Sequence, residues 1–159
     1  MKKVAVVMGS ASDMPVVQPA VDKLKEFGVE CTVRILSAHR TPMQAMEFAK
    51  SAYDNDYGVI IAAAGKAAHL GGAMAANTVI PVIGIPVKAS ELDGLDALLA
   101  TVQMPSGIPV ATVAINGSAN AALLAIQILA VTDEELHKKL LEQRKKAEED
   151  ILKKDSEIV

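Results

Sequence analysis

Residues 3–36 read KVAVVMGSASDMPVVQPAVDKLKEFGVECTVRIL. Lys3 to Met8 is a β-branched apolar run that stops at Gly9. Asp13 to Phe27 carries Val16, Val17, Ala20, Val21, Leu24 and Phe27 at helical spacing and stops at Gly28. Val29 to Leu36 is strand-like again, with Val33-Arg34-Ile35-Leu36 read as a buried strand and Cys31 as a small buried hydrophobe. Two continuous apolar strands around an amphipathic helix are the pattern of a parallel pair joined by a crossover, buried on both faces.

The alternation continues along the chain. Helices are expected over Pro42–Tyr53, Ala67–Asn77, Asp93–Val102 and Ser118–Val131, and strands over Tyr57–Ala64, Ile80–Val87 and Ile108–Ile115. The expected fold is therefore α/β, a three-layer α/β/α sandwich on a five-stranded parallel sheet with right-handed crossovers. No linker or change of composition divides residues 1–131, so a single catalytic domain is expected over 1–159, its core over 1–131. Thr132-Asp133-Glu134-Glu135 looks like an N-cap with an acidic first turn. It opens a charged C-terminal helix over 133–154 whose Leu136, Leu140, Leu141, Ala147, Ile151 and Leu152 mark one face. That helix is expected to pack on a neighbouring subunit.

The 159 residues are 51% hydrophobic but only 3% aromatic, with no Trp, so the core is built from aliphatic side chains and tight helix-on-sheet packing. Recognition of single-stranded nucleic acid by stacking is not expected, since that mode needs aromatic platforms. A net charge of −3 provides no basic field for nucleic acid. Residues 133–159 hold 7 of the 16 basic and 9 of the 19 acidic side chains, which leaves the body lightly charged and points to oligomerisation. One cysteine excludes an internal disulfide. No basic leader precedes the first strand, and no apolar stretch approaches the roughly 20 residues of a membrane helix, so a cytoplasmic protein without membrane contact is expected.

Three loops follow strands at their carboxyl ends, the edge where open α/β sheets bind ligands. In Gly9-Ser10-Ala11-Ser12-Asp13, a glycine, two hydroxyls and the next helix N-terminus suit a phosphate. Asp13 is either a helix cap or an acceptor for a pair of sugar hydroxyls. Ser37-Ala38-His39-Arg40-Thr41-Pro42 sets an imidazole beside a permanent cation with a fork of donors for phosphate or carboxylate, and Thr41 before Pro42 reads as a cap. Ala64-Gly65-Lys66-Ala67-Ala68-His69-Leu70-Gly71-Gly72 can wrap a ligand closely; His69, in apolar surroundings, is as compatible with a structural role as with a catalytic one. His137 reads as a surface residue. No His, Cys or carboxylate set has metal-ligand spacing, and no Gly-x-Ser-x-Gly elbow is present.

Taken in order, Gly9-Ser10-x-Ser12-Asp13, Ser37-Ala38-His39-Arg40-Thr41-Pro42, Ala67-Ala68-His69-Leu70, Pro81-Val82-Ile83-Gly84-Ile85-Pro86-Val87, Val102 to Thr112 and Asn120 to Ala125 resemble the PurE family. These are the N5-carboxyaminoimidazole ribonucleotide mutases of purine biosynthesis. The resemblance covers roughly residues 3–131. It implies a flavodoxin-like fold, a homo-octamer with active sites where subunits meet, a ribonucleotide substrate, and no metal or organic cofactor. The implied reaction loses the N-carboxylate as CO2, traps it, and adds it to a ring carbon that gives up a proton. Carried over by motif, Ser10, Ser12 and Arg40 hold the 5′-phosphate, and Gly9 lines that loop. Asp13 binds the ribose, and Ser37 and Ala38 line the aminoimidazole. His39 is the general acid/base. Gly65, Lys66, Ala67 and Leu70 surround the migrating carboxylate with His69 near it, and Gln103 helps to cover a site from another subunit.

Two departures stand out. Lys66 occupies the place of a second glycine and would set an ammonium beside the carboxylate pocket or point outward. Gly71-Gly72-Ala73 replaces Pro-Gly-Met and is expected to loosen the loop. Arg40 argues for the mutase class, since a related class that uses free CO2 carries Lys there. The alternatives are a direct aminoimidazole ribonucleotide carboxylase and a catalytically silent nucleotide-binding oligomer.

Overall fold

Lys3–Met8 (β1) is apolar after its first residue and lies inside the sheet, with a neighbour on each side. The computed structural model describes residues 1–158. Met14–Glu26 (α1) leads to Cys31–Ile35 (β2), Pro42–Ser51 (α2) to Tyr57–Gly65 (β3), and Leu70–Ala75 (α3) to Val82–Val87 (β4). Leu95–Val102 (α4) leads to Ala111–Thr112 (β5), and Ser118–Ala130 (α5) and Glu134–Ser156 (α6) close the chain. All pairings are parallel, in the order β2-β1-β3-β4-β5. This is the flavodoxin-like order, and its switch point opens a crevice at the carboxyl ends of β1 and β3.

Period-two alternation sends successive side chains of each strand to opposite layers. Val4, Val6, Val59, Ile61, Ile83 and Ile85 meet α1 and α5 in one fully buried cluster. Ala5, Val7, Ile60, Ala62 and Val82 meet α2 and α3 in the other. Gly84 lets α4 approach, because a Cβ there would collide with Thr101 Cγ2.

Several expectations are corrected. Residues 33–36 do not form a strand buried on both faces: β2 is an edge strand, Arg34 and Ile35 are exposed and Cys31 is only half-buried. The fifth strand shrinks to Ala111–Thr112. Pro109 before it and Pro86 on the partner strand have no N–H to give to the ladder. The third helix is confined to Leu70–Ala75, and Gly71 and Gly72 lie inside it, not in a loosened loop. A Cβ at Gly72 would come within 3.1 Å of Met104 Sδ, so the glycine admits the chain that follows α4.

Asp133 caps α6 as expected, accepting from the Leu136 N–H at 3.1 Å. Leu136 and Leu140 are buried, and Lys139 Nζ donates to the Phe27 carbonyl at 3.0 Å. The start of α6 thus packs on its own body. Leu141, Ile151 and Leu152 are exposed.

Candidate active site

The loops after β1, β2, β3 and β4 line one open cavity of about 610 Å³ at the switch point, a volume suited to a small-molecule ligand. The first loop is stiffened by its own hydroxyls. Ser12 Oγ donates to Ser10 Oγ at 2.9 Å, and the Ser12 N–H points at the same oxygen at 3.4 Å. Ser10 is thus the cap of the short 3₁₀ turn Ala11–Asp13, and Asp13 makes no side-chain cap to α1.

The second loop is held by a closed set of bonds. Thr41 Oγ1 accepts from the Ser37 N–H at 2.8 Å and donates to the Ser37 carbonyl at 3.2 Å, so it does not cap α2. The Arg40 N–H donates to Ser37 Oγ at 3.1 Å, and Arg40 Nε reaches the same oxygen at 3.4 Å. Arg40 Nη2 donates to the Gly9 carbonyl at 2.6 Å, across to the first loop. His39 turns the other way, and its Nε2 lies 2.7 Å from Nδ1 of His69 in the third loop. The rings meet edge-on, with centroids 4.9 Å apart and planes at 70°. Two adjacent residues thus tie the second loop to the first and to the third.

A hydrogen bond between two imidazoles requires one nitrogen to donate and the other to accept. The pair lies on the cavity wall. His69 is exposed and paired, not enclosed by apolar side chains.

Gly9, Ser10, Ser12, Asp13, Ser37, Ala38, His39, Arg40, Gly65, Lys66, Ala67, His69 and Leu70 all line this cavity. Gln103 does not; it is exposed at the end of α4. His137 is exposed on α6. Lys88 and Ala89 also line the cavity, a contribution of the fourth loop that three-loop reasoning misses. The signal for them was the same rule, since both follow a strand's carboxyl end. The Lys88 N–H is fixed by Asn116 Oδ1 at 2.9 Å, and Lys88 Nζ pairs with Asp93 at 3.0 Å. Lys66 Nζ pairs with Glu91 at 3.2 Å. Hydrogen bonds from Ser90 and then from Lys66 hold the Glu91 carboxyl below its ordinary range. Among the described residues no group of three or more His, Cys, Asp or Glu could hold a metal ion.

Burial pushes the Asp13 carboxyl above its ordinary range, only partly offset by hydrogen bonds to Ser10 and Ser12 and by the Arg40 charge. An acid whose folded-state pKa is raised costs stability above that pKa, and the cost vanishes once pH falls below the unfolded value. Asp13→Asn is therefore expected to unfold at a higher temperature than the wild type at pH 7. The gain should disappear near pH 3, as thermal melts at the two pH values will show.

Residues 3–150 match the family model described as AIR carboxylase. The chain is 49% identical over 154 residues to the N5-carboxyaminoimidazole ribonucleotide mutase of Thermotoga maritima, covering 97% of this chain and 90% of that protein. It is 56% identical over 137 residues to the protein of the same name from Pyrococcus horikoshii, covering 86% and 77%. The crystal structure of Treponema denticola PurE superimposes with a TM-score of 0.88 at 30% identity, covering 98% of this chain and 97% of that one.

Proposed function

We infer, from the fact that this chain belongs to the AIR carboxylase family, that it is an N5-carboxyaminoimidazole ribonucleotide mutase of purine biosynthesis. Relatives aligned over most of their own length carry that name. The observation that carries the reading to named residues is the splay of His39 and Arg40. One reaches the His69 ring at 2.7 Å and the other the Gly9 carbonyl at 2.6 Å, on the wall of one cavity.

The chemistry follows from that splay. The reaction breaks an N–C bond and forms a C–C bond on the same nucleotide. The nitrogen gains a proton when the carboxylate leaves as CO2, and the ring carbon loses one when it captures CO2. The proton count balances, so one resident group suffices to give and take it. His39 is that group, and its bond to His69 fixes the ring. Ser10, Ser12 and Arg40 hold the 5′-phosphate away from the reacting carbon, and Asp13 accepts from the ribose hydroxyls. Ser37 and Ala38 line the aminoimidazole, and residues 65–70 enclose the carboxyl group. Small apolar side chains in that loop keep water from the CO2. The reaction draws on no metal or organic cofactor.

The proposal includes a homo-octamer, with Gln103 covering a site on another copy and α6 packed on a neighbour. Support comes from Leu95, Leu99 and Val102 on α4, which are 52%, 50% and 47% exposed, and from the bare apolar positions late in α6. No described helix is long and apolar enough to cross a membrane, and a cytoplasmic location is part of the proposal.

Purified protein is expected to convert N5-carboxyaminoimidazole ribonucleotide to 4-carboxy-5-aminoimidazole ribonucleotide without added bicarbonate, followed by product absorbance. Light scattering of the same sample should give eight times 16.7 kDa. Conversion of aminoimidazole ribonucleotide only at high bicarbonate, with the N-carboxylated nucleotide ignored, would overturn the mutase assignment.

A further inference from the structure

We propose that Lys66 determines specificity by exchanging Glu91 for the carboxylate of the bound nucleotide, so that this one cation separates carboxylated from uncarboxylated ligands. The inference rests on the mutase reading above, because that reading supplies the carboxylate.

Lys66 has φ 52°, in the left-handed region where an L side chain is strained. A glycine at this position would carry no such strain. The strain is not offset by the ion pair. Lys66 and Glu91 side chains are 66% and 60% exposed, and so hydrated a pair contributes little to stability. A strained residue that its own contacts do not repay is a candidate for function. Its weak partner also makes it free to leave. The lysine stem is flexible and ends in a compact ammonium, so the charge can swing from Glu91 at the rim toward the cavity.

Charge matching gives that swing a target. The described cavity wall carries three cations, Arg40, Lys66 and Lys88, against one carboxylate, Asp13. A substrate with a phosphate and a carboxylate has two anionic groups to place. Arg40 is tied to the phosphate-suited first loop through Gly9. Lys66 stands three residues before His69, the partner of His39. Lys88 has a similarly exposed partner, Asp93 at 3.0 Å, but it stands one loop further out. Of the two lysines, Lys66 is the one in the loop that reaches the imidazole pair.

The test is titration calorimetry with 4-carboxy-5-aminoimidazole ribonucleotide and with aminoimidazole ribonucleotide, on wild type, Lys66→Gly, Lys66→Met and Glu91→Gln. Lys66→Gly relieves the backbone strain, so its thermal midpoint should not fall and it serves as the folded control. Both lysine variants are expected to lose about tenfold in affinity for the carboxylated nucleotide, the scale of one charge-assisted hydrogen bond, with the uncarboxylated one unchanged. Glu91→Gln, which frees the ammonium, should bind the carboxylated nucleotide more tightly and leave the other as it was. Equal losses for both ligands, or an unaltered preference in Lys66→Gly, overturn the proposal even if the wild type is an active mutase. A wild type that fails to turn over the N-carboxylated nucleotide overturns the functional reading instead, and the calorimetric preference still decides the role of Lys66.

Discussion

His39→Asn is expected to lower kcat by about 10²–10⁴-fold, the range for a positioned general acid/base, with the Kd for product nucleotide close to wild type. The asparagine amide is polar, planar and able to hydrogen-bond to His69, so the wall keeps its shape. What it cannot do is accept a proton and return it. The reaction has the same proton count at both ends, so on the proposed role of His39 no other group has to act. Steady-state kinetics gives kcat, and calorimetry with the product gives Kd. A kcat within tenfold of wild type removes His39 from the acid/base role. His69→Asn should fall between the two, because it removes the 2.7 Å tether of the ring but leaves the proton carrier. An effect confined to kcat marks an interaction made in the transition state rather than in uniform binding.

The parts of this molecule legible in the sequence are those set by short-range rules. β1, α1 and the loop between them follow from an apolar run, a glycine stop and helical spacing, and the structure adds only a 3₁₀ turn at Ala11–Asp13. Placing three loops on one sheet edge needs no more than the rule for parallel strands. Failures come where the neighbour decides. Residues 33–35 have a strand's composition, but their exposure depends on β2 having only one partner. Ile108 to Ile115 looks like a full strand, yet its ladder is confined to Ala111–Thr112, between Pro109 before it and Pro86 on the partner strand, neither of which has an N–H to donate. Gly71-Gly72 looks flexible in isolation, and it is the approach of Val110 to Gly71 and of Met104 to Gly72 that turns those glycines into a packing surface. Within the site, which residues line the cavity was largely legible, and their pairing was not. That His39 turns to His69 and Arg40 to Gly9 depends on the order of β2, β1 and β3, which brings loops 30 residues apart into contact. The Lys66–Glu91 pair was illegible for the same reason, since it joins the loop after β3 to the one after β4.

Arg40→Ala is expected to weaken nucleotide binding by about 10–100-fold, the loss of one to two charge-assisted hydrogen bonds of about 1.5–3 kcal/mol at a site open to solvent. The guanidinium has five N–H donors. One is committed to the Gly9 carbonyl and one leans on Ser37 Oγ. These two bonds restrict the side chain and leave the other donors for the proposed phosphate. Arg40→Lys keeps the charge but cannot span Gly9, Ser37 and a phosphate at once, and should recover only part of the loss. The discriminating ligand is the nucleoside without its 5′-phosphate. Wild type and Arg40→Ala should bind it equally, and the gap between the proteins for the nucleotide should narrow as salt screens the phosphate contact. Equal loss of affinity for nucleoside and nucleotide would show that Arg40 shapes the loop rather than holding the phosphate, and the anion would then have to be sought at Lys88. The mutation should lower kcat less than His39→Asn does. The phosphate is remote from the bond that breaks, so what it contributes is position.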